Sequence, residues 1–248
     1  MTPAERESSI AFARRNLLID GLEPSARAMG LAAAYSAGDI DEDALIKRLD
    51  AGDEAPRALK NERTADLPTD AVFVRTVLVC RHPWTASSDL DELRAIHIRL
   101  FGGLGPWAGR LRRADQISSS SKGYFPPALL NQGAASIGSG LASERNLTSL
   151  DRPDFRDRLA YYYDELGFLH PFDRGNAMTL RIFASRLAHD AGWDLDWGTV
   201  DRHAYQEATH RAYLGDLSGL MALFAAIIRP VNPTRIFLIA GWDQGPAH

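Results

Sequence analysis

Apolar residues recur at helical spacing along most of this chain. Between residues 3 and 19, Ile10, Ala13, Leu17 and Leu18 fall near one helical face, and Asp20-Gly21 supplies a stop. Glu23-Pro24-Ser25 restarts a second helix carrying Met29, Leu31, Ala32 and Tyr35, and Ser36-Ala37-Gly38-Asp39 breaks it before a third at 41–49. Three short helices make a thin core, so this unit is expected to pack on the remainder of the chain. The valine-rich tract 72–79 reads as strand or buried helix, and periodicity alone does not separate the two. Residues 89–101 predict a helix, capped by Ser88 or Asp89, with Leu90, Leu93, Ile96, His97, Leu100 and Phe101 along one side. The stretch 117–125, with four serines, Lys122 and Gly123, reads as an exposed loop or small hairpin. Further helices are predicted at 127–146, 152–166, 176–191, 200–213 and 217–228, before Pro230 and Pro233 stop helix formation. The expectation is an all-α, mainly helical chain without internal repeats: a helical unit at 1–52, a linker at 53–74, a main domain at 75–230 and a tail at 231–248.

Composition narrows the function classes. At 45% hydrophobic and 24% charged residues, with a net charge of -4, the chain has no general attraction for nucleic acid or an anionic membrane. Its one cysteine, Cys80, excludes an internal disulfide and a cysteine-rich metal site. No leader-like segment opens the sequence, and no apolar run reaches the roughly 18 residues that span a bilayer. A soluble, cytoplasmic protein is the expectation. Asn146-Leu147-Thr148 matches a glycosylation acceptor by coincidence.

Chemistry concentrates where Leu169-His170-Pro171-Phe172-Asp173-Arg174-Gly175-Asn176 interrupts two helical stretches. Proline disfavours the helical conformation in the residue before it, so His170 is expected in extended or turn geometry. Gly175 permits a tight approach into a helix beginning near Asn176. Backbone N–H groups at a helix start are unpaired and sit at the positive end of the dipole, which suits an anion. Arg181, a turn and a half in, can reach toward the same anion, and a histidine beside it suits proton abstraction from an attacking hydroxyl. Read without further context, the same residues are a capped turn with a satisfied histidine.

The segment 170–181, HPFDRGNAMTLR, resembles the signature of the Fic family, HxFx(D/E)GN(G/K)RxxR. Leu93-Arg94-Ala95-Ile96-His97-Ile98-Arg99-Leu100-Phe101 resembles the LxxIHxxLF helix of that family, and Trp107-Ala108-Gly109-Arg110-Leu111-Arg112 its WAGxxR segment. The serine-rich stretch with Lys122 and Gly123 sits where such proteins carry the flap, a hairpin that aligns the target side chain. Near the N-terminus, residues 12–21 are similar to the inhibitory helix of small Fic antitoxins, (S/T)xxxE(G/N), with Asn16, Asp20 and Gly21 at the motif positions. The resemblance implies a Fic-like helical bundle with a small β-hairpin flap behind an antitoxin-like three-helix unit. It also implies transfer of AMP from ATP to a protein hydroxyl. His170 would be the base, Asn176 and the adjacent amides the anion hole, and Arg181 the γ-phosphate contact. Phe172 would anchor the loop, with Arg174, Gly175, Ala177, Lys122 and Gly123 lining the substrate path. The inhibitory acid, Asp20, would pair with Arg181, as in toxin–antitoxin pairs of the family, and so autoinhibit the chain.

Three departures change the expected chemistry. The acid that holds Mg²⁺ in Fic enzymes is Arg174 here, the glycine after the asparagine is Ala177, and the first arginine is Met178. A cation at a metal position repels the metal and removes a ligand, so Mg²⁺ is not expected to bind in the usual way. Two readings result. One is a divergent transferase using ATP or another phosphate-containing donor, with Arg174 supplying positive charge. The other is a catalytically degenerate module that binds or regulates on the Fic scaffold. His97 is read as a core histidine, and Trp193 and Trp197 as packing residues.

Overall fold

The computed structural model describes residues 2–50, 67–81, 84–118 and 122–231. Residues 51–66, most of the expected linker among them, the flap serines Ser119, Ser120 and Ser121, the tail from 232 and the Cys80 side chain lie outside the described residues. The helices are α1 (Pro3–Ile19), α2 (Ala26–Ala37), α3 (Glu42–Asp50), α4 (Thr69–Leu78), α5 (Leu90–Phe101), α6 (Leu130–Ser143), α7 (Arg152–Leu169), α8 (Asn176–Asp190), α9 (Arg202–Tyr213) and α10 (Ser218–Ile227). Two short strands, β1 (Trp193–Leu195) and β2 (Ile228–Pro230), pair antiparallel with Leu195 opposite Ile228. The helical architecture expected from the pattern is the one observed.

Local chemistry explains the boundaries. Thr2 and Glu5 form a reciprocal capping box at the start of α1, with Pro3 at the first helical position. Ser25 caps α2 by accepting from the Ala28 N–H at 3.1 Å, and Gly38 closes it in the left-handed region. The ambiguous valine tract is the helix α4, which begins at Thr69 inside the expected linker. Val72, Phe73, Val74 and Val77 are all buried because α4 packs against α1, α2, α3 and α5. An element apolar on every side survives as a helix when neighbours cover all of it. Helix α7 extends beyond its expected end, up to Leu169 and the histidine after it. Nothing in the apolar pattern anticipates the β1–β2 pair, since three-residue strands leave no period to read.

Helix α8 is the centre of the molecule. Every residue from Met178 to Ala188 is buried, against α5, α7, β1 and α1. Phe12, Leu17 and Ile19 of α1 join the same continuous apolar core. The N-terminal helices therefore rest on the main bundle, with the end of α1 beside α8 and α9.

Candidate active site

His170 caps the C-terminus of α7 with φ 44° and ψ 59°, and its N–H donates to the Leu166 carbonyl at 3.3 Å. Of the extended and turn geometries expected for it, the extended one is corrected: the residue takes a left-handed turn. Pro171 disfavours the right-handed helical region, and the αL region both relieves that restriction and closes the helix end. Arg112, buried in the same place, fixes the turn. Its Nε donates to the His170 carbonyl at 2.7 Å, Nη1 to that of Ala114 at 3.0 Å, and Nη2 to that of Phe125. Burial pulls the Arg112 pKa down, opposed by nearby Asp115 and Asp173. The Tyr124 ring lies flat on the His170 imidazole, 3.8 Å between centroids and 13° between planes. The flap is tied down on both sides: Gln116 Nε2 donates to the Asp173 carbonyl at 3.1 Å, and the Tyr213 hydroxyl to that of Gly123 at 2.6 Å. An Ile117–Gly123 bridge is what the described residues show of the expected hairpin.

Past His170 the loop is pinned from below. Phe172 is buried and stacks on His97 at 3.9 Å. The Gly109 N–H donates to His97 Nδ1 at 2.8 Å, so the ring proton sits on Nε2 and donates to the Arg174 carbonyl at 3.0 Å. Burial lowers the His97 pKa to about 4, which keeps the ring neutral. His97 is thus a core residue that holds the WAG segment to the signature loop. Asn176, assigned to the anion hole, also serves the loop. Its Oδ1 accepts the Phe172 N–H at 2.9 Å and its Nδ2 donates to the Phe172 carbonyl at 2.7 Å, so the side chain clamps the loop. Gly175 has φ 75°, and a Cβ there would lie 2.4 Å from the Phe101 ring. No side chain caps the start of α8, so its first amides stay open to a ligand.

His170, Asn176 and Ala177 line a cavity of about 920 Å³, whose opposite wall is α9 and the adjoining face of α7. The remaining candidates divide. Phe172 touches the cavity from its buried position, and Lys122 is exposed on the flap. Met178 is fully buried and offers nothing to a phosphate. Arg174 does not line the cavity: its guanidinium lies 5.2 Å from the Trp107 ring centre, in a cation–π contact. Arg181 is fully buried and held by the N-terminal helix. Its Nε donates to Asn16 Oδ1 at 2.5 Å, and Nη2 donates to the Asn16 carbonyl at 2.8 Å and to Asp20 Oδ2 at 2.9 Å. Burial alone would depress the Arg181 pKa, but the Asp20 carboxylate together with Tyr205 and Tyr163 outweighs it and the net direction is up. Gly21 comes next in the chain, with φ 78°. The position of the family's metal acid is occupied by Arg174, and among the described residues no cluster of three or more His, Cys, Asp or Glu is built to hold a metal.

Behind the site, Arg186 of α8 pairs with Glu92 of α5 at 2.5 Å, and the same carboxylate accepts from Trp84 Nε1 at 2.9 Å and the Ser88 N–H at 2.8 Å. No motif or period in the sequence singles out Tyr124, Tyr213 or Glu92. Arg112 lies in a matched segment that assigns it no role.

Comparison with known proteins bears on the same residues. The Fic/DOC family model matches residues 87–188. The probable protein adenylyltransferase Fic of Escherichia coli is 33% identical over 139 residues, which covers 56% of this chain and 69% of that protein. The chain belongs to the Fic/DOC family. The protein adenylyltransferase VbhT of Bartonella schoenbuchensis is 36% identical over 151 residues, covering 61% of this chain and 31% of the relative. The chain thus spans about a third of that larger protein. A Bartonella tribocorum effector, BepC, solved with bound AMPPNP, shares the fold at TM-score 0.58 and 21% identity, over 65% of this chain and 84% of that one. Among the described residues no helix is long and apolar enough to cross a membrane.

Proposed function

We propose that this chain is a divergent Fic-type transferase that moves a nucleotidyl group, AMP in the simplest case, onto a hydroxyl of a protein, and that α1 holds it in check. The relatives' activity as protein adenylyltransferases supports the reaction class. One observation carries the reading: His170 lines a cavity together with the uncapped first turn of α8. In the reaction, the imidazole takes the proton of the attacking hydroxyl. The hydroxyl oxygen forms a bond to the α-phosphorus, the bond to the β-phosphate oxygen breaks, and pyrophosphate leaves. Open amides at the start of α8 stabilise the charge on the phosphorus oxygens. Tyr124 keeps the imidazole in place, and the Asn176 clamp fixes the loop between base and helix. No step runs through a metal.

The restraint comes from Asn16 and Asp20, which occupy three of the contacts Arg181 could offer a phosphate. The alternative, a degenerate binding module, draws on a specific observation too. Arg174, Met178 and Arg181 all lie off the cavity wall, so the signature presents it with no guanidinium.

Incubation of the full chain with labelled ATP and protein acceptors, with Mg²⁺ and with EDTA, separates the two. Transfer that disappears in His170→Ala and rises in Asp20→Gly supports the self-restrained transferase. Nucleotide binding with no transfer in either variant supports the module. Transfer that persists in His170→Ala removes the histidine from the mechanism.

A further inference from the structure

The charges that Fic chemistry takes from its signature are missing from this cavity, yet a cation lines it from elsewhere. Among the described residues, Arg202 is the only arginine or lysine on the cavity wall. It stands at the first position of α9, on the side opposite the signature loop. The N-terminus of α9 is already capped, since Asp201 accepts the Ala204 N–H at 3.0 Å. Any attraction for an anion at this point therefore belongs to the Arg202 side chain.

Two features distinguish Arg202 from an ordinary solvated arginine. Among the described residues its guanidinium has no hydrogen-bond acceptor or carboxylate partner, and its Nε is buried without one. A buried donor left unpaired is costly, and a guanidinium without protein partners is one whose remaining donors a ligand can engage. Second, the guanidinium packs over Gly21, so closely that a Cβ on that glycine would lie 2.5 Å from Arg202 Cζ. The turn that ends α1 thus sets the position of the guanidinium at the cavity edge. Gly21 adjoins Asp20, the partner of Arg181, so Arg202 lines the cavity and packs on the residue next to the cluster in which Arg181 is sequestered.

We infer that Arg202 is the residue that reads the anionic polyphosphate tail of the donor in this chain, in place of the signature arginines. This rests on the donor being a nucleotide, as proposed above. A guanidinium gives a phosphate two parallel N–H donors, which makes it the suitable side chain for the purpose. Asp164 and Glu207 also line the cavity. Burial, with Glu165 adding to it, pushes the Asp164 pKa up to about 6, which reduces its repulsion of an anion in mildly acidic solution.

The test is calorimetric titration of the full chain with ATP, GTP, CTP and UTP, in EDTA and in Mg²⁺, over a range of salt concentrations. Arg202→Ala is expected to weaken binding of the nucleotide that the wild type takes by about ten- to a hundredfold, as loss of a charge-assisted contact does. The salt dependence of binding should flatten alongside. Arg202→Gln keeps a stem against Gly21 and guards against a folding defect; it should weaken binding comparably at an unchanged melting temperature. Arg202→Lys should recover part of the affinity. Wild-type binding matched by both neutral variants overturns the inference and leaves the transferase reading standing. A wild type that binds none of the four nucleotides sinks that reading, and this inference with it.

Discussion

Gly175 is constrained twice, by a backbone only glycine tolerates easily and by the Phe101 ring pressed against it. Gly175→Ala should therefore cost about 1–3 kcal/mol, read as a lowered melting temperature, because neither the dihedral nor the ring can yield without moving α5. An unchanged melting curve would show that Phe101 is free to swing away. His97 sets a pH dependence whose sign comes from its burial. Its pKa is about 4 in the folded chain against 6.5 ordinarily, so between these values the unfolded chain binds more protons. The stability it contributes is present above pH 6.5 and is lost as pH falls toward 4. Melting temperature against pH should fall over that window more steeply in the wild type than in His97→Gln; equal slopes would assign acid sensitivity elsewhere. Asp20 and Asn16 show what a motif conveys and what it hides. The motif match locates both residues, whereas the double hold of Asn16 on Arg181, through side chain and carbonyl, emerges only with the docked helix.

Helices α5 and α8 are locked by a single buried ion pair with ancillary donors. Glu92→Gln removes one charge and strands Arg186, and a loss of about 3–5 kcal/mol is expected by chemical denaturation. A loss below about 1 kcal/mol would mean that Asp190, 3.1 Å from the same guanidinium, carries the charge balance unaided. At the flap, Tyr213→Phe deletes the hydroxyl that reaches Gly123. The Tyr124 amide, which donates to the Gln116 carbonyl at 2.9 Å, should then exchange its hydrogen faster. Unaltered exchange would show that Tyr124 stacking and the Gln116 contact with Asp173 secure the hairpin without it. Helices of this kind are legible in sequence because caps and apolar period agree: Ser25, Asp89 and Gly38 mark ends that the structure keeps. The valine tract is not, since its identity depends on the neighbours around it. The short β1–β2 pair escapes for a related reason, being held by β1 packing on α8 and not by any local pattern.

Across the whole molecule, the N-terminal helices share one core with the Fic bundle, so removing them does more than release Arg181. A chain beginning at residue 67 uncovers the faces of α4 and α8 that Phe12, Leu17 and Ile19 now seal. It is expected to melt well below the full chain or to aggregate, so point changes at Asp20 test restraint more cleanly than truncation. A truncated chain with the full melting temperature would establish the first helices as a detachable cover. Family resemblance makes the general layout and the position of His170 readable from sequence. The direction each signature side chain takes is not readable, because it is set by contacts the motif does not state: Arg174 against Trp107, Asn176 against the Phe172 backbone, and Arg181 against Asn16. Arg112 has a consequence at this largest scale. One hidden guanidinium grips carbonyls from the end of α7, from His170 and from the foot of the flap. In the transferase proposed above, a protein substrate settling on the flap would pull on the imidazole through this shared rivet, which ties docking to the placement of His170.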